Sequence, residues 1–316
     1  MTPRLIGAAQ VEKALDYRRL IDKLREMLRA GCVAPPRHHH TIAVPGAPAA
    51  TLLLMPAWQP GRYLGVKSVT VFPGNTARGL ASVLGVYLLL DATTGEPLAL
   101  IDARSLTLRR TAAASALAAD CLARRDASRL LLVGTGALAP HMARAHACVR
   151  GIGEITVWGR TPEKARALAA ALADCAPAVR ASTDLAAAAR RADIICCATM
   201  ASEPLIRGEW LAPGTHLDLV GAFRPTMRES DDEAVRRSRV YVDSRAGALA
   251  EGGDLALPIA SGAITPSHVV GELAELARGS VAGRGDAAEI TLFKSVGMAL
   301  EDLAAAELVY EAERAS

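Results

Sequence analysis

One short stretch limits the fold of this chain more than any other: Leu131-Leu132-Val133-Gly134-Thr135-Gly136-Ala137-Leu138-Ala139. An apolar run of strand length passes into Gly-x-Gly-x-x-Ala at the expected start of a helix. Gly134 permits a tight turn, Gly136 lets a backbone approach a pyrophosphate, and Ala139 lets a helix pack closely on its strand. Free N–H groups and a partial positive charge at the helix start suit phosphate. Glycine turns also serve purely structural connections. Here the turn follows a strand, opens a helix and precedes a second strand at a suitable interval, and that context predicts a dinucleotide site at Gly134, Thr135, Gly136, Ala137 and Leu138.

The second strand ends Val157-Trp158-Gly159-Arg160-Thr161. It carries no acidic residue where an NAD-binding fold grips ribose hydroxyls. Arg160, with Thr161 beside it, can instead pair with a 2′-phosphate that a carboxylate would repel. NADPH is therefore expected, with NADH weaker; the alternative for Arg160 is a solvated loop residue.

From Arg129 onward short apolar segments alternate with helical ones: 130–133, 155–158, 194–198, 217–220 and 240–242 read as strands. This is the pattern of a doubly wound parallel sheet. Before residue 105 the pattern differs. A helix is expected over 10–29, where Val11, Leu15, Leu20, Leu24 and Leu28 recur among charges. Pro35-Pro36-Arg37 then turns the chain, and strands are expected at 51–55, 63–72, 83–90 and 98–101 without intervening helices, which suggests an antiparallel sheet. Helices are expected at 105–122 and at about 292–312. The fold class is α/β: a Rossmann-type parallel-sheet domain (113–289) plus a discontinuous α+β substrate and dimerisation domain (1–112, completed by 290–316). A length of 316 residues suits two cores.

Composition narrows the function. Aromatics are only 3% and the net charge is +3 with no basic block, so a base-stacking nucleic-acid surface is not expected. No apolar run would span a bilayer and the N-terminus lacks a signal core, so the chain is expected to be soluble and cytoplasmic. Cys32, Cys121, Cys148, Cys175, Cys196 and Cys197 are scattered, and the last two sit in an apolar run as small core residues. No metal site is expected. His38, His39 and His40 alternate faces on an extended segment, and His141, His146, His216 and His268 lack ligand spacing. One of the three consecutive histidines could line a pocket. Glu251 and Asp254 read as solvated loop carboxylates around Gly252-Gly253, Glu272 and Glu275 as helix-surface residues, and 280–285 as a flexible connector toward the first domain.

Four segments carry a family resemblance: Thr107-Leu108-Arg109-Arg110-Thr111-Ala112-Ala113; Ser202 to Trp210 running on to Pro213-Gly214-Thr215-His216; Val220-Gly221-Ala222-Phe223-Arg224-Pro225; and Phe293-Lys294-Ser295-Val296-Gly297-Met298. Their order and content resemble the ornithine cyclodeaminase and mu-crystallin family. The resemblance implies a homodimer and a substrate carboxylate held by Arg37, Lys67 and Arg110 near the nicotinamide. Cations able to fork a carboxylate suit an anionic amino or imino acid. It also implies a small polar position at Ser82, which with Lys67 is a candidate for catalysis. Cofactor contacts are implied at Thr199, Val220, Ser295 and Gly297. Only one of Arg109 and Arg110 is expected to face a pocket, since helical neighbours diverge by about 100°.

One departure bears on the branch. Cyclodeaminases and the alanine dehydrogenases of this family carry an Asp and a Lys where Phe223 and Met227 stand here. Neither residue can move a proton, so deamination of ornithine is disfavoured. The Gly-Ala-Phe-Arg-Pro loop resembles the ketimine-reductase branch, which implies NADPH-dependent reduction of cyclic imino acids such as delta-1-pyrroline-2-carboxylate and delta-1-piperideine-2-carboxylate, giving L-proline or L-pipecolate. The alternatives are a cyclodeaminase or amino-acid dehydrogenase on the same fold, and a non-catalytic NADPH-dependent carrier.

Overall fold

The computed structural model describes residues 2–315, apart from the side chain of Thr76. The chain divides into two compact units. One holds the described residues up to Thr111 and those from Met298 on; the other spans Ala112–Gly297.

The first unit opens with β1 (Arg4–Ile6), α1 (Ala8–Ala14) and α2 (Tyr17–Ala30). One continuous helix was expected here. Asp16 breaks it: its extended backbone and its carboxylate, accepting from the Arg19 N–H at 3.2 Å, restart the helix as an N-cap. Then follow β2 (His38–Ile42), β3 (Ala50–Trp58), β4 (Tyr63–Val71), β5 (Val83–Asp91) and β6 (Pro97–Asp102), leading into α3 (Ala103–Leu122). The sheet order is β1-β6-β5-β4-β3-β2. It is antiparallel from β2 to β6, as the run of strands suggested, while β1 adds to β6 in parallel. Strand alternation gives the sheet one buried face, and Met55, Lys67, Tyr87 and Ile101 form a row across it in register. The C-terminal helix, Ala299–Arg314, packs on β3, β4 and β5 with α1 and α2 beside it.

The second unit continues with β7 (Arg129–Val133), α4 (Ala139–Val149), β8 (Glu154–Trp158), α5 (Pro162–Ala171), β9 (Ala178–Ser182), α6 (Leu185–Arg191), β10 (Ile194–Cys197), β11 (His216–Leu219), α7 (Asp232–Arg236), β12 (Arg239–Val242), α8 (Arg245–Glu251), α9 (Gly253–Ala260), β13 (Val269–Glu272), α10 (Leu273–Arg278) and β14 (Thr291–Lys294). All eight strands pair in parallel in the order β13-β12-β14-β11-β10-β7-β8-β9. The order reverses at β7, and the switch point lies between β7 and β10, where such sheets bind ligands.

Two expectations about the chain's end are corrected. Residues 292–294, assigned from sequence to the last helix and the first domain, form with Thr291 the strand β14 between β11 and β12. All four are buried, as a central strand requires. The helix starts only at Ala299, after Gly297 takes φ +86°. The 280–285 segment joins α10 to β14 within the second unit, and Tyr241 Oη donates to the Ala282 carbonyl at 2.8 Å. Among the described residues no helix is long and apolar enough to cross a membrane.

Candidate functional site

The glycine turn behaves as its sequence demands. Gly134 has φ +118°, and a Cβ there would lie 2.7 Å from the Ala198 carbonyl oxygen and 3.1 Å from Thr199 Cγ2. Backbone conformation and the close approach of the β10 loop both require glycine. A Cβ on Gly136 would meet nothing within 4 Å, so open space lies over the turn. Thr135 to Leu138 are partly or wholly exposed, and Ala139 is buried where α4 meets the sheet. The open space beside Gly136, at the positive end of α4, fits a dinucleotide pyrophosphate.

At the end of β8, Arg160 and Thr161 are exposed. Thr161 occupies the N-cap of α5 without using its hydroxyl as a cap.

The other implied cofactor positions are held by carboxylates that sequence reasoning passed over. Thr199 donates its N–H and its hydroxyl to Glu229 Oε1, at 2.6 and 2.8 Å. Val220 N–H donates to the Cys197 carbonyl, and the next residue, Gly221, donates its N–H to Glu229 Oε2 at 2.7 Å. Asp243, at the end of β12, accepts from Ser295 Oγ and from the N–H groups of Val296 and Gly297, at 3.2, 2.7 and 2.6 Å. It thereby fixes the 295–297 segment.

Asp254 was expected to be a solvated loop residue. It is buried in the first turn of α9, accepts from the N–H groups of Glu229 and Ser230, and pairs with buried Lys294 at 3.0 Å. A buried lysine one strand away needs a counter-charge, and Asp254 supplies it. Glu251 is half-buried, while Glu272 and Glu275 form the capping box of α10, with Arg245 paired to Glu275 at 2.8 Å.

A second buried group lies behind β11. His146, Cys196 and Asp218 bring ligand-type atoms within 4.8 Å of one another. Asp218 accepts from Ser115 Oγ at 3.1 Å. Burial pushes the Asp218 carboxyl up to about 7 and the His146 imidazole down to about 4, and it raises the Cys196 thiol well above its usual value. Cys197 is buried beside it, so both cysteines have the core placement expected of them. His38 and His40 share one face of edge strand β2, exposed, with ring centroids 6.4 Å apart.

In the first unit the structure brings Lys67 and Arg110 together around two acids of the C-terminal helix. Lys67 Nζ lies 2.6 Å from Asp302 Oδ2. Arg110 donates from Nε to Asp302 Oδ1 at 2.8 Å and from Nη1 to Glu301 Oε2 at 2.5 Å. All four side chains are buried. Burial lowers the Lys67 amine to about 8; Arg110 and Arg37 push in the same direction and Asp302 opposes them. Arg37 is half-buried and close enough for its charge to be felt at Lys67. Lys67 and Arg110 are thus each held by a carboxylate of the C-terminal helix. Arg109 turns elsewhere, donating to the Leu15 carbonyl and stacking over Tyr17.

Ser82 stands apart. Its carbonyl accepts from Phe72 N–H just beyond β4, five residues from Lys67, or about 16 Å at the usual strand rise. Glu301 and Asp302 were missed, although two adjacent acids in the alanine-rich run Ala299-Leu300-Glu301-Asp302-Leu303-Ala304 were a visible sign of buried charge.

The sequence pattern of the ornithine cyclodeaminase/mu-crystallin family matches residues 5–316. A delta(1)-pyrroline-2-carboxylate reductase of Paracoccus denitrificans is 40% identical, over 97% of this chain and 96% of its own. Among solved structures, the Thermococcus litoralis delta(1)-pyrroline-2-carboxylate reductase in complex with NADH and L-proline superposes with a TM-score of 0.92 at 35% identity, covering 99% and 98% of the two chains. An archaeal alanine dehydrogenase dimer with bound NAD superposes with a TM-score of 0.91 at 29% identity, covering 100% and 97%.

Proposed function

Because the chain belongs to the ornithine cyclodeaminase/mu-crystallin family, we propose that it reduces the C=N bond of a cyclic imino acid, delta-1-pyrroline-2-carboxylate or its six-membered homologue, to the cyclic amino acid. The observation that carries this reading is the buried cluster of Lys67, Arg110, Glu301 and Asp302 with Arg37 nearby, which gathers cations suited to a substrate carboxylate.

The glycine turn and the Thr199, Val220 and 295–297 segments would hold a nicotinamide dinucleotide, which when bound supplies the hydride. NADPH is favoured over NADH because exposed Arg160 can pair a 2′-phosphate. Glu301 and Asp302 lock the Arg110 guanidinium by two of its nitrogens and leave Nη2 for the substrate carboxylate. Lys67, protonated below about 8, supplies the proton that the imine nitrogen needs when hydride reaches C2. Ser82, five strand residues away, is a weaker candidate for that step.

Phe223 and Met227 carry no titratable group, which disfavours ornithine deamination. Exposed Leu80, Val83, Leu84 and Val86, clustered on and before β5, support a homodimer. Cysteines with no disulfide between them among the described residues fit a reducing, cytoplasmic setting.

An NADPH-oxidation assay with five- and six-membered cyclic imino acids, repeated with NADH, tests the reading. Ammonia release from ornithine without imine reduction would reverse it in favour of a cyclodeaminase. Tight NADPH binding without turnover of either imine would favour a carrier.

A further inference from the structure

Glu229 lies on the loop between β11 and α7, with no exposed surface. It joins two loops that leave adjacent strands. Oε1 takes both donors of Thr199, after β10, and Oε2 takes the N–H of Gly221, after β11. The loops touch through their backbones as well. A Cβ on Gly221 would lie 1.9 Å from the Thr199 carbonyl oxygen and 2.4 Å from Glu229 Oε1. The same β10 loop abuts the glycine turn, since a Cβ on Gly134 would meet Ala198 O and Thr199 Cγ2. Behind Glu229, Asp254 accepts its N–H at 2.7 Å and is neutralised by Lys294.

We propose that Glu229 is a positioning residue, which sets the β10 and β11 loops as the seat for the nicotinamide half of the dinucleotide. In a sheet that reverses at β7, the pyrophosphate lies on the β7 turn and the adenosine lies toward β8. The second half of the ligand then runs over the ends of β10 and β11. Glu229 ties those two loops to one side chain. A carboxylate suits the task because it accepts from three donors at once and donates none. Asp254 and Lys294 hold it from behind, and Asp218, Cys196 and Cys197 also sense its charge.

The inference rests on dinucleotide binding and not on the identity of the imine. Calorimetry therefore compares ADP, which covers the adenosine half and the pyrophosphate, with NADH and NADPH, without substrate. For Glu229→Gln, an amide nitrogen must face at least one N–H donor, so the loops part. The expected result is ADP affinity within twofold of the parent and affinity for both dinucleotides reduced about tenfold or more, the cost of one lost buried hydrogen bond. Equal weakening of ADP and dinucleotide would mean general loosening and would overturn the proposal, as would unchanged dinucleotide affinity. If Glu229→Gln does not fold, Glu229→Asp, which keeps the charge but shortens its reach to the two loops, is read by the same comparison and decides the matter. Failure of the parent protein to reduce any imine would sink the reductase reading and leave these binding results standing.

Discussion

Asp302 Oδ2 sits 2.6 Å from Lys67 Nζ, on a helix that joins the sheet only at the end of the chain. The contact places a carboxylate against an amine that burial and two arginines would otherwise strip of its proton. If the protonated amine serves the reaction, kcat falls as pH rises through about 8. Asp302→Asn removes the charge that opposes this loss, so the falling limb moves to lower pH. A pH–rate profile of both proteins is the check, and an unmoved limb would detach Lys67 from proton delivery.

Arg160 offers a charge-assisted pair to a 2′-phosphate from an exposed position. Arg160→Ala is expected to raise the Kd for NADPH by about 10- to 100-fold, the worth of such a hydrogen bond, with NADH within twofold. Equal losses for the two cofactors would assign Arg160 a general loop role.

Gly134→Ala places a side chain at φ +118° and 2.7 Å from a carbonyl oxygen. The strain alone costs about 1–3 kcal/mol. Denaturant unfolding should register it, and dinucleotide binding should weaken further as the β10 loop is pushed away.

The pair Asp254–Lys294 is buried at both ends. Lys294→Met leaves a carboxylate without its counter-charge and should cost about 3–5 kcal/mol, whereas Asp254→Asn with Lys294→Met should recover part of that. Additive losses in the double variant would show that the two side chains act separately.

His146 gives an acid-sensitive test. Its folded value, about 4, lies below the ordinary 6.5, so the unfolded chain binds the extra proton between these values. The imidazole therefore withdraws stability as pH falls from 6.5 toward 4. Asp218, raised from 3.8 to about 7, has the opposite slope, since the folded state holds its proton over that range. His146→Gln should gain stability relative to the parent on going from pH 7 to pH 5 in urea unfolding. A constant difference between the two proteins would rule out a buried neutral imidazole.

What could be read in advance follows the range of the forces involved. The parallel sheet and its glycine turn were legible because strand periodicity, helix start and the need for glycine at Gly134 are local. The β2–β6 run was legible for the same reason. The edge strands β9 and β13 were not, since Ala178-Val179-Arg180-Ala181-Ser182 and Val269-Val270-Gly271-Glu272 gain their pairing from neighbours already in place. Leu292-Phe293-Lys294 was read as helix because a buried central strand and a buried helix have the same apolar content at that length. The carboxylates were hardest. Glu229, Asp243, Asp254, Glu301 and Asp302 look like surface acids one at a time, and their partners Thr199, Gly297, Lys294, Arg110 and Lys67 lie far away in sequence.

The most direct test compares Lys67→Met and Arg110→Met with the parent for dinucleotide affinity and for steady-state reduction of delta-1-pyrroline-2-carboxylate. The cationic cluster predicts parent-like cofactor binding in both variants and loss of kcat/KM by at least about 100-fold, the usual effect of removing one partner from a charged substrate contact. Undiminished turnover in both variants, with cofactor binding intact, would contradict it.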